Sequence, residues 1–387
     1  MRAIIPNFSL FGALGFFLLY PAFFFYQVLI ANGAMPPVLD GYFRYAVLTV
    51  FAFSLLFLAC NAGRNKFVWA DLNFIFFVGY FFVIVCTNAL LGGTSQYFGW
   101  HLGQVIQLLT VFLVFRLLDV DSLYLKWGLV VSVLLMSFSV IYFSKDGFFY
   151  LKGLDSSNKN ISTYQEFANS YLLSVMLLTA CLKRGWARVI IYAVAIPCLY
   201  LTGSRSELVA LILFIMLYEF VLAKYKWRAV FRIGLALLVV IVGMYVLGDY
   251  VPKNRVLYLA APASDESIRM RVDMSASALT IVSESPLFGS YGDYEAGEYA
   301  HNIISVWVDL GVLGLIIYLA MIVSAFYKSA CAAIFYWGGE RKIALMLSML
   351  MVSILLVLTS KYFSYNMIAA ALGLFSGYKA LQAKRVS

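Results

Sequence analysis

An apolar chain has little reason to carry arginine, histidine and paired serines inside its greasy stretches, yet this one does so at two places. The segment Leu201-Thr202-Gly203-Ser204-Arg205-Ser206-Glu207 separates two apolar runs, and the polar stretch from Tyr250 to Ala300 ends in His301-Asn302 at the mouth of a third. An ionisable residue held at membrane depth is costly and marks function by default. Gly203 can end one helix in the left-handed conformation, and Ser204 with Glu207 has the spacing of a capping box for the next. Arg205 then opens the new helix. Its charge gains nothing from the helix dipole, which favours anions at this end. A guanidinium beside unpaired amides instead makes a receptor for phosphate or carboxylate. The alternative is a plain hairpin turn with a snorkelling arginine.

Arg269 and Arg271 form a second cationic site. Two residues apart on a helix they point about 200° from each other, so one at most faces a common site. Arg271 borders an apolar stripe and is the better candidate; Arg269 suits a solvated position among lipid headgroups. His301 opens an apolar span, with Asn302 beside it and Ser305, Val308 and Asp309 following at helical steps. Such a histidine is either structural or a base, and its place at the end of an acidic outer loop favours the base. His101, beside Trp100, reads as an interface residue without a role. Tyr164-Gln165-Glu166 is polar enough, at the outer end of a span, to line a substrate groove.

Other patterns carry less. Asp119-Val120-Asp121 spells a metal-dependent sugar-transferase signature but falls on the inner side. Asp293, Glu295 and Glu298 could take a cation, yet no His or Cys accompanies them, and two histidines on separate spans make a poor zinc site. No metal or cofactor is expected. No Walker or dinucleotide glycine motif is present. The five cysteines are scattered singly through apolar spans, as inert small hydrophobes.

The elements that must position these residues are membrane helices. Hydrophobic residues make up 63% of the 387 positions and charged ones 12%, against about 25% charged in soluble domains. Apolar runs predict twelve spans, near 9–30, 44–61, 69–91, 100–118, 124–143, 163–182, 188–203, 205–222, 232–249, 302–324, 343–361 and 364–381. The fold class expected is all-α: a single polytopic transmembrane domain over 1–387, with one larger outer loop at 250–301. The first run is too long for a signal-peptide core. The net charge of +9 reports topology rather than nucleic acid. With both termini inside, the inner loops and helix ends take 18 of the 28 Lys and Arg.

Within the outer loop, Ile268, Val272, Ala276, Leu279 and Val282 form one helical stripe, ended by Ser285-Pro286. This predicts a helix on or dipping into the outer interface. The Gly-rich acidic stretch from Gly289 to Gly297 follows as a mobile lid or a substrate loop.

In order and spacing, three motifs resemble the O-antigen polymerase and O-antigen ligase superfamily: the Leu201–Ser206 hairpin, Arg271 followed by Pro286-Leu287-Phe288-Gly289, and His301-Asn302 followed by Gly311-Val312-Leu313-Gly314. Tyr164-Gln165-Glu166-Phe167-Ala168 is similar to a polymerase segment. The resemblance covers about residues 160–324, and it departs at Ser275, where many relatives carry a Trp.

It implies a GT-C-like fold with the loop periplasmic, in the bacterial inner membrane, both termini cytoplasmic. The activity implied is metal-independent glycosyl transfer from undecaprenyl-diphosphate-linked glycan. The acceptor is another lipid-linked repeat unit for a polymerase, or lipid A-core for a ligase. His301, Arg205 and Arg271 would be catalytic; Tyr164, Gln165, Arg269 and Asn302 would bind substrate. Membrane lipids, a chain-length regulator and a flippase are the implied partners, with no nucleic acid. The Tyr164-Gln165 segment and an outer loop of about 50 residues favour polymerase over ligase. A lipid-linked oligosaccharide flippase is the rival of another class. It would want charge through the bundle core, whereas charge here gathers at one face.

Overall fold

Backbone polar groups in hydrocarbon must be satisfied within their own segment, which leaves helices as the only open-chain solution. The computed structural model describes residues 8–36, 41–60, 67–91, 95–149, 164–234, 266–295, 298–335 and 340–386. Its first six helices are α1 (Phe8–Leu19), α2 (Pro21–Ala31), α3 (Tyr42–Cys60), α4 (Trp69–Leu90), α5 (Ser95–Leu117) and α6 (Leu123–Tyr142). A two-residue hairpin, β1 (Ser144–Lys145) and β2 (Phe148–Phe149), precedes α7 (Tyr164–Cys181), α8 (Gly185–Leu201) and α9 (Arg205–Leu222). Then come α10 (Glu266–Glu284), α11 (Ile304–Phe335), α12 (Arg341–Thr359) and α13 (Asn366–Val386).

Helices stand at every expected span except 232–249, which lies outside the described residues from 235 on. By length and composition, seven helical stretches among the described residues can cross a membrane, and α8 is a shorter apolar helix. Phe53, Leu56, Phe76 and Phe138 are 58–64% exposed on the outside of the bundle, while the interior is equally apolar. Grease on both sides is the mark of a bundle solvated by lipid. The protein is a polytopic helical membrane protein.

The first span is broken in the middle. Pro21 sits at the first position of α2, where its missing N–H costs nothing, and Tyr20 is the N-cap. At the centre stands α5, with α13, α3, α1 and α4 packed around it. Gly373 and Gly377 of α13 lie on its backbone: a Cβ on either would come within 2.4 Å of the carbonyl of Phe112 or Arg116. Two small residues four apart allow such close approach in lipid. One end of the bundle is tied by a buried pair, Arg116 Nε and Nη2 donating to Asp71 at 2.7 and 2.9 Å. Asp119 and Asp121 belong to that end too, paired with Lys342 and Arg341. Their role there is to tie the α5–α6 turn to the start of α12 by ion pairs.

The opposite end carries the start of α5, α7, α9, α11 and α13 and the close of α8 and α12. There α10 packs on α11 through Ala278 and Val282 against Ala300 and Val308, with Ile281 and Trp307 alongside. Its predicted stripe therefore splits. Val282 faces inward, whereas Val272 and Leu279 are 61% and 52% exposed and turn to the outside with Met270, Leu287 and Phe288. The small Ala278 is what allows α11 to approach, so the packed face is set by size as well as by apolarity.

Candidate active site

Three backbone irregularities build this end. Gly203, at φ 73°, closes α8 as its sequence position predicts, and Ser204 is the N-cap of α9. The expected capping box does not form. The Ser204 hydroxyl and Ser206 Oγ both donate to the Glu207 carboxylate, which is fully buried and accepts Lys361 Nζ at 2.6 Å. A buried carboxylate needs a cation more than a helix end needs a cap, since amides at the first turn can be satisfied otherwise.

The second irregularity lies inside α11, where Gly311 leaves helical geometry at φ 66°. Gly289, at φ 68°, meets this break. Ser290 N donates to Val308 O at 2.8 Å and Val312 N to Leu287 O at 3.2 Å. A Cβ on Gly289 would lie 2.3 Å from Val308 O, and one on Gly311 2.4 Å from Leu287 O. Only two glycines let these backbones touch. The consequence is that Gly289–Tyr294, expected as part of a mobile lid or a substrate loop, is docked: Gly292 N donates to Asp309 Oδ1 at 3.1 Å.

The third is the short turn between α12 and α13, which carries Lys361, Tyr362, Ser364 and Tyr365. Tyr362 OH donates to Asp309 Oδ2 and lies 3.1 Å from His101 Nε2, while Tyr291 OH is 2.6 Å from His101 Nδ1. Burial, then the nearby Asp309, holds the Tyr362 phenol well above its usual range, so it remains a donor. His101, Asp309 and Tyr362 are all buried. Together they lock α5, α11, the docked loop and the α12–α13 turn into one unit.

On that unit sits a cavity of about 220 Å³, whose lining includes Arg271, His301, Lys361, Glu207, Gln165 and Tyr299. His301 lies in the turn just before α11 rather than on the helix, its ring 4.5 Å from that of Tyr299. Burial, and then the charges of Arg271 and Lys361, push its pKa down to about 4. The imidazole is neutral at ordinary pH and can accept a proton. Arg271 is half-buried on the packed face of α10, and Arg269 is exposed. Gln165 lines the cavity; Tyr164 is not among its lining residues. Arg205 is half-buried in the first turn of α9, two residues from Glu207, and is not a lining residue either.

Asn302 acts as a tie. Its Nδ2 donates to Ser275 Oγ at 2.9 Å and its Oδ1 accepts the Ile304 N–H at 2.9 Å, joining α10 to the start of α11. Ser275, the departure from the family pattern, is thus the other half of a hydrogen bond. Across Tyr299 a second cleft of about 320 Å³ holds Asp273, Asp293, Glu295 and Glu298. No group of three or more His, Cys, Asp or Glu among the described residues is placed to hold a metal ion.

Residues 190–319 match the family model described as O-antigen ligase. The match covers about a third of the chain and agrees with the resemblance to the O-antigen polymerase and ligase superfamily. The comparison with curated proteins finds no match. The matched segment holds the Gly203 turn, α10 and the Gly289–Gly311 contact, so its two glycine motifs serve one backbone junction. The cavity is completed from outside that segment, by Gln165 of α7 and by Lys361 and Tyr362. Sequence reasoning gave Lys361 and Tyr362 no role, read Glu207 as a helix cap and His101 as an interface residue, and did not join His101, Tyr362 and Asp309 into one unit. The signal available was a short polar turn, Ser360 to Tyr365, between two apolar spans.

Proposed function

We propose that the protein is a glycosyltransferase of the bacterial inner membrane that polymerises undecaprenyl-diphosphate-linked repeat units on the periplasmic face. The observation that carries this is the convergence of a neutral histidine with Arg271 and Lys361 in one cavity at one end of the bundle. The acceptor hydroxyl attacks the anomeric carbon of the donor glycan and gives its proton to a ring nitrogen of His301. The anomeric carbon–oxygen bond breaks, and its electron pair leaves with the undecaprenyl diphosphate.

Charge developing on that diphosphate is met by Arg271 and Lys361, with Arg205 and the uncapped first turn of α9 beside Glu207. Protein cations take the place of a metal in this scheme. Gln165 orients the sugar, and Asn302 holds His301 by fixing the turn that carries it. Tyr164 and the exposed Arg269 sit at the approach, where lipid headgroups and glycan arrive. The chain-length regulator and flippase of such a system would dock from the membrane side.

A surface-glycan gel from a strain deleted for this gene tests the reading. Lipid A-core with a single repeat unit supports a polymerase. Bare lipid A-core with polymer retained on undecaprenyl diphosphate means a ligase. Unchanged long chains overturn both.

A further inference from the structure

A general base must present a nitrogen to the acceptor in one direction, and a working histidine is ordinarily aimed by a hydrogen bond at its other nitrogen. His101 has such ties, with Tyr291 OH 2.6 Å from Nδ1 and Tyr362 OH 3.1 Å from Nε2. His301 has none. Among the described residues neither of its nitrogens has a hydrogen-bond partner, and neither is sealed off from the cavity that the residue lines. Arg271 and Lys361 share that cavity, but cations cannot accept from an imidazole N–H. Of the carboxylates on the same walls, Glu207 is taken up by Lys361 and two serines, and Glu166 is exposed on α7.

What touches the imidazole is a ring. Tyr299 lies 4.5 Å from it between centroids, with the two planes inclined by 46°. Closeness along the chain alone would leave both side chains free to turn together. Two rings from elsewhere restrain Tyr299: Trp100 of α5 at 5.5 Å, and Tyr362 of the α12–α13 turn at 5.0 Å and edge-on at 72°. Trp100 and Tyr362 are themselves 5.5 Å apart, so the three rings close a triangle. Tyr362 is fixed in turn through its hydroxyl to Asp309 and His101. Aromatic pairs at such separations and inclinations attract one another and resist rotation. Resting on the glycosyl-transfer reading, we infer that Tyr299 is the positioning residue of His301: its ring, held by Trp100 and Tyr362, sets the direction in which the imidazole faces the acceptor hydroxyl. The ring does this, not the phenol oxygen, and both nitrogens of His301 are left for substrate.

The test uses full-length protein in detergent with its histidine rings labelled for NMR. The chain has two histidines, and the signal missing from His301→Gln is that of His301. In wild type it is expected to be displaced by the ring current of Tyr299 and to titrate near pH 4. In Tyr299→Leu the displacement should vanish and the titration should move toward the ordinary 6.5, because water then reaches the imidazole. In proteoliposomes with lipid-linked repeat units, the same variant should lose about 10- to 100-fold in kcat, the cost of a misaimed reacting group, with KM unchanged and the rising limb moved to higher pH. Tyr299→Phe keeps the ring and should restore kcat, limb and signal. A Tyr299→Leu variant with wild-type kcat and pH limb overturns the inference and leaves transfer intact. So does a Tyr299→Phe as impaired as Tyr299→Leu, which makes the phenol oxygen a substrate contact. A wild-type His301 signal without displacement overturns it too, and needs no Tyr299 variant to fold. Transfer at the wild-type rate by His301→Ala overturns the underlying reading of His301, and the positioning role with it.

Discussion

At the scale of single residues, the account turns on protonation. A base must be deprotonated, and His301 in this cavity loses its proton near pH 4 instead of the usual 6.5. Activity on the basic group should therefore rise through about pH 4 and stay level from pH 6 to 8. Lys361→Met removes a positive charge that disfavours the imidazolium, so the rising limb should move to higher pH as kcat falls; an unmoved limb means Lys361 does not face His301. Arg205→Lys is expected to lose most activity at normal expression, because an ammonium lacks the planar two-pronged fork that a diphosphate oxygen pair matches. Full activity in that variant removes Arg205 from the diphosphate site. His101 shows what a single sequence conceals. It stands beside a Trp at the start of a span and reads as an interface residue, yet its ring contacts Tyr291 and Tyr362, 190 and 261 positions away. Nothing local announces partners at that distance.

Elements explain why the motifs have their spacing. Pro286–Gly289 and Gly311–Gly314 look like two separate signatures, but Gly289 and Gly311 are two sides of one backbone contact that breaks α11 and brings Asp309 beneath the docked loop. Gly311→Ala combines a left-handed φ with a Cβ 2.4 Å from Leu287 O. We expect it to destabilise the loop's docking by about 1–3 kcal/mol, read as a lower melting temperature in detergent and as faster proteolysis at 286–300. A variant as stable and as protected as wild type contradicts the contact. Helix α10 was legible as a helix ending before Pro286, because period and terminator are local. Which of its faces packs was not, since Ala278 is chosen by the room available against α11. The capping box failed for a related reason: Glu207 meets a lysine 154 positions away, and a buried ion pair outranks a local cap.

For the whole molecule, apolar runs of membrane length made the helical bundle readable almost in full, span by span. Its internal ties were less so. Asp71 and Arg116 sit near the ends of α4 and α5 in the sequence, and only the fold puts them together with Ser376 of α13 in the interior. Asp71→Ala leaves Arg116 buried without its carboxylate, and such breakage costs about 3–5 kcal/mol. Yield of folded monomer by fluorescence-detected gel filtration should fall sharply. The effect should spare the transfer cavity at the other end, so the protein that does fold should keep its KM. Both ends fasten helices, and on the proposed mechanism the cavity end also holds the reacting groups.

The central claim is that neutral His301 accepts the acceptor's proton while side-chain cations receive the leaving diphosphate. Release of undecaprenyl diphosphate from lipid-linked repeat units, by purified protein in proteoliposomes containing a chelator, tests it most directly. Wild type should release it together with lengthened glycan, and His301→Ala should be slower by about 10²–10⁴. Release at the wild-type rate by His301→Ala, or release that depends on added divalent metal, would contradict the account.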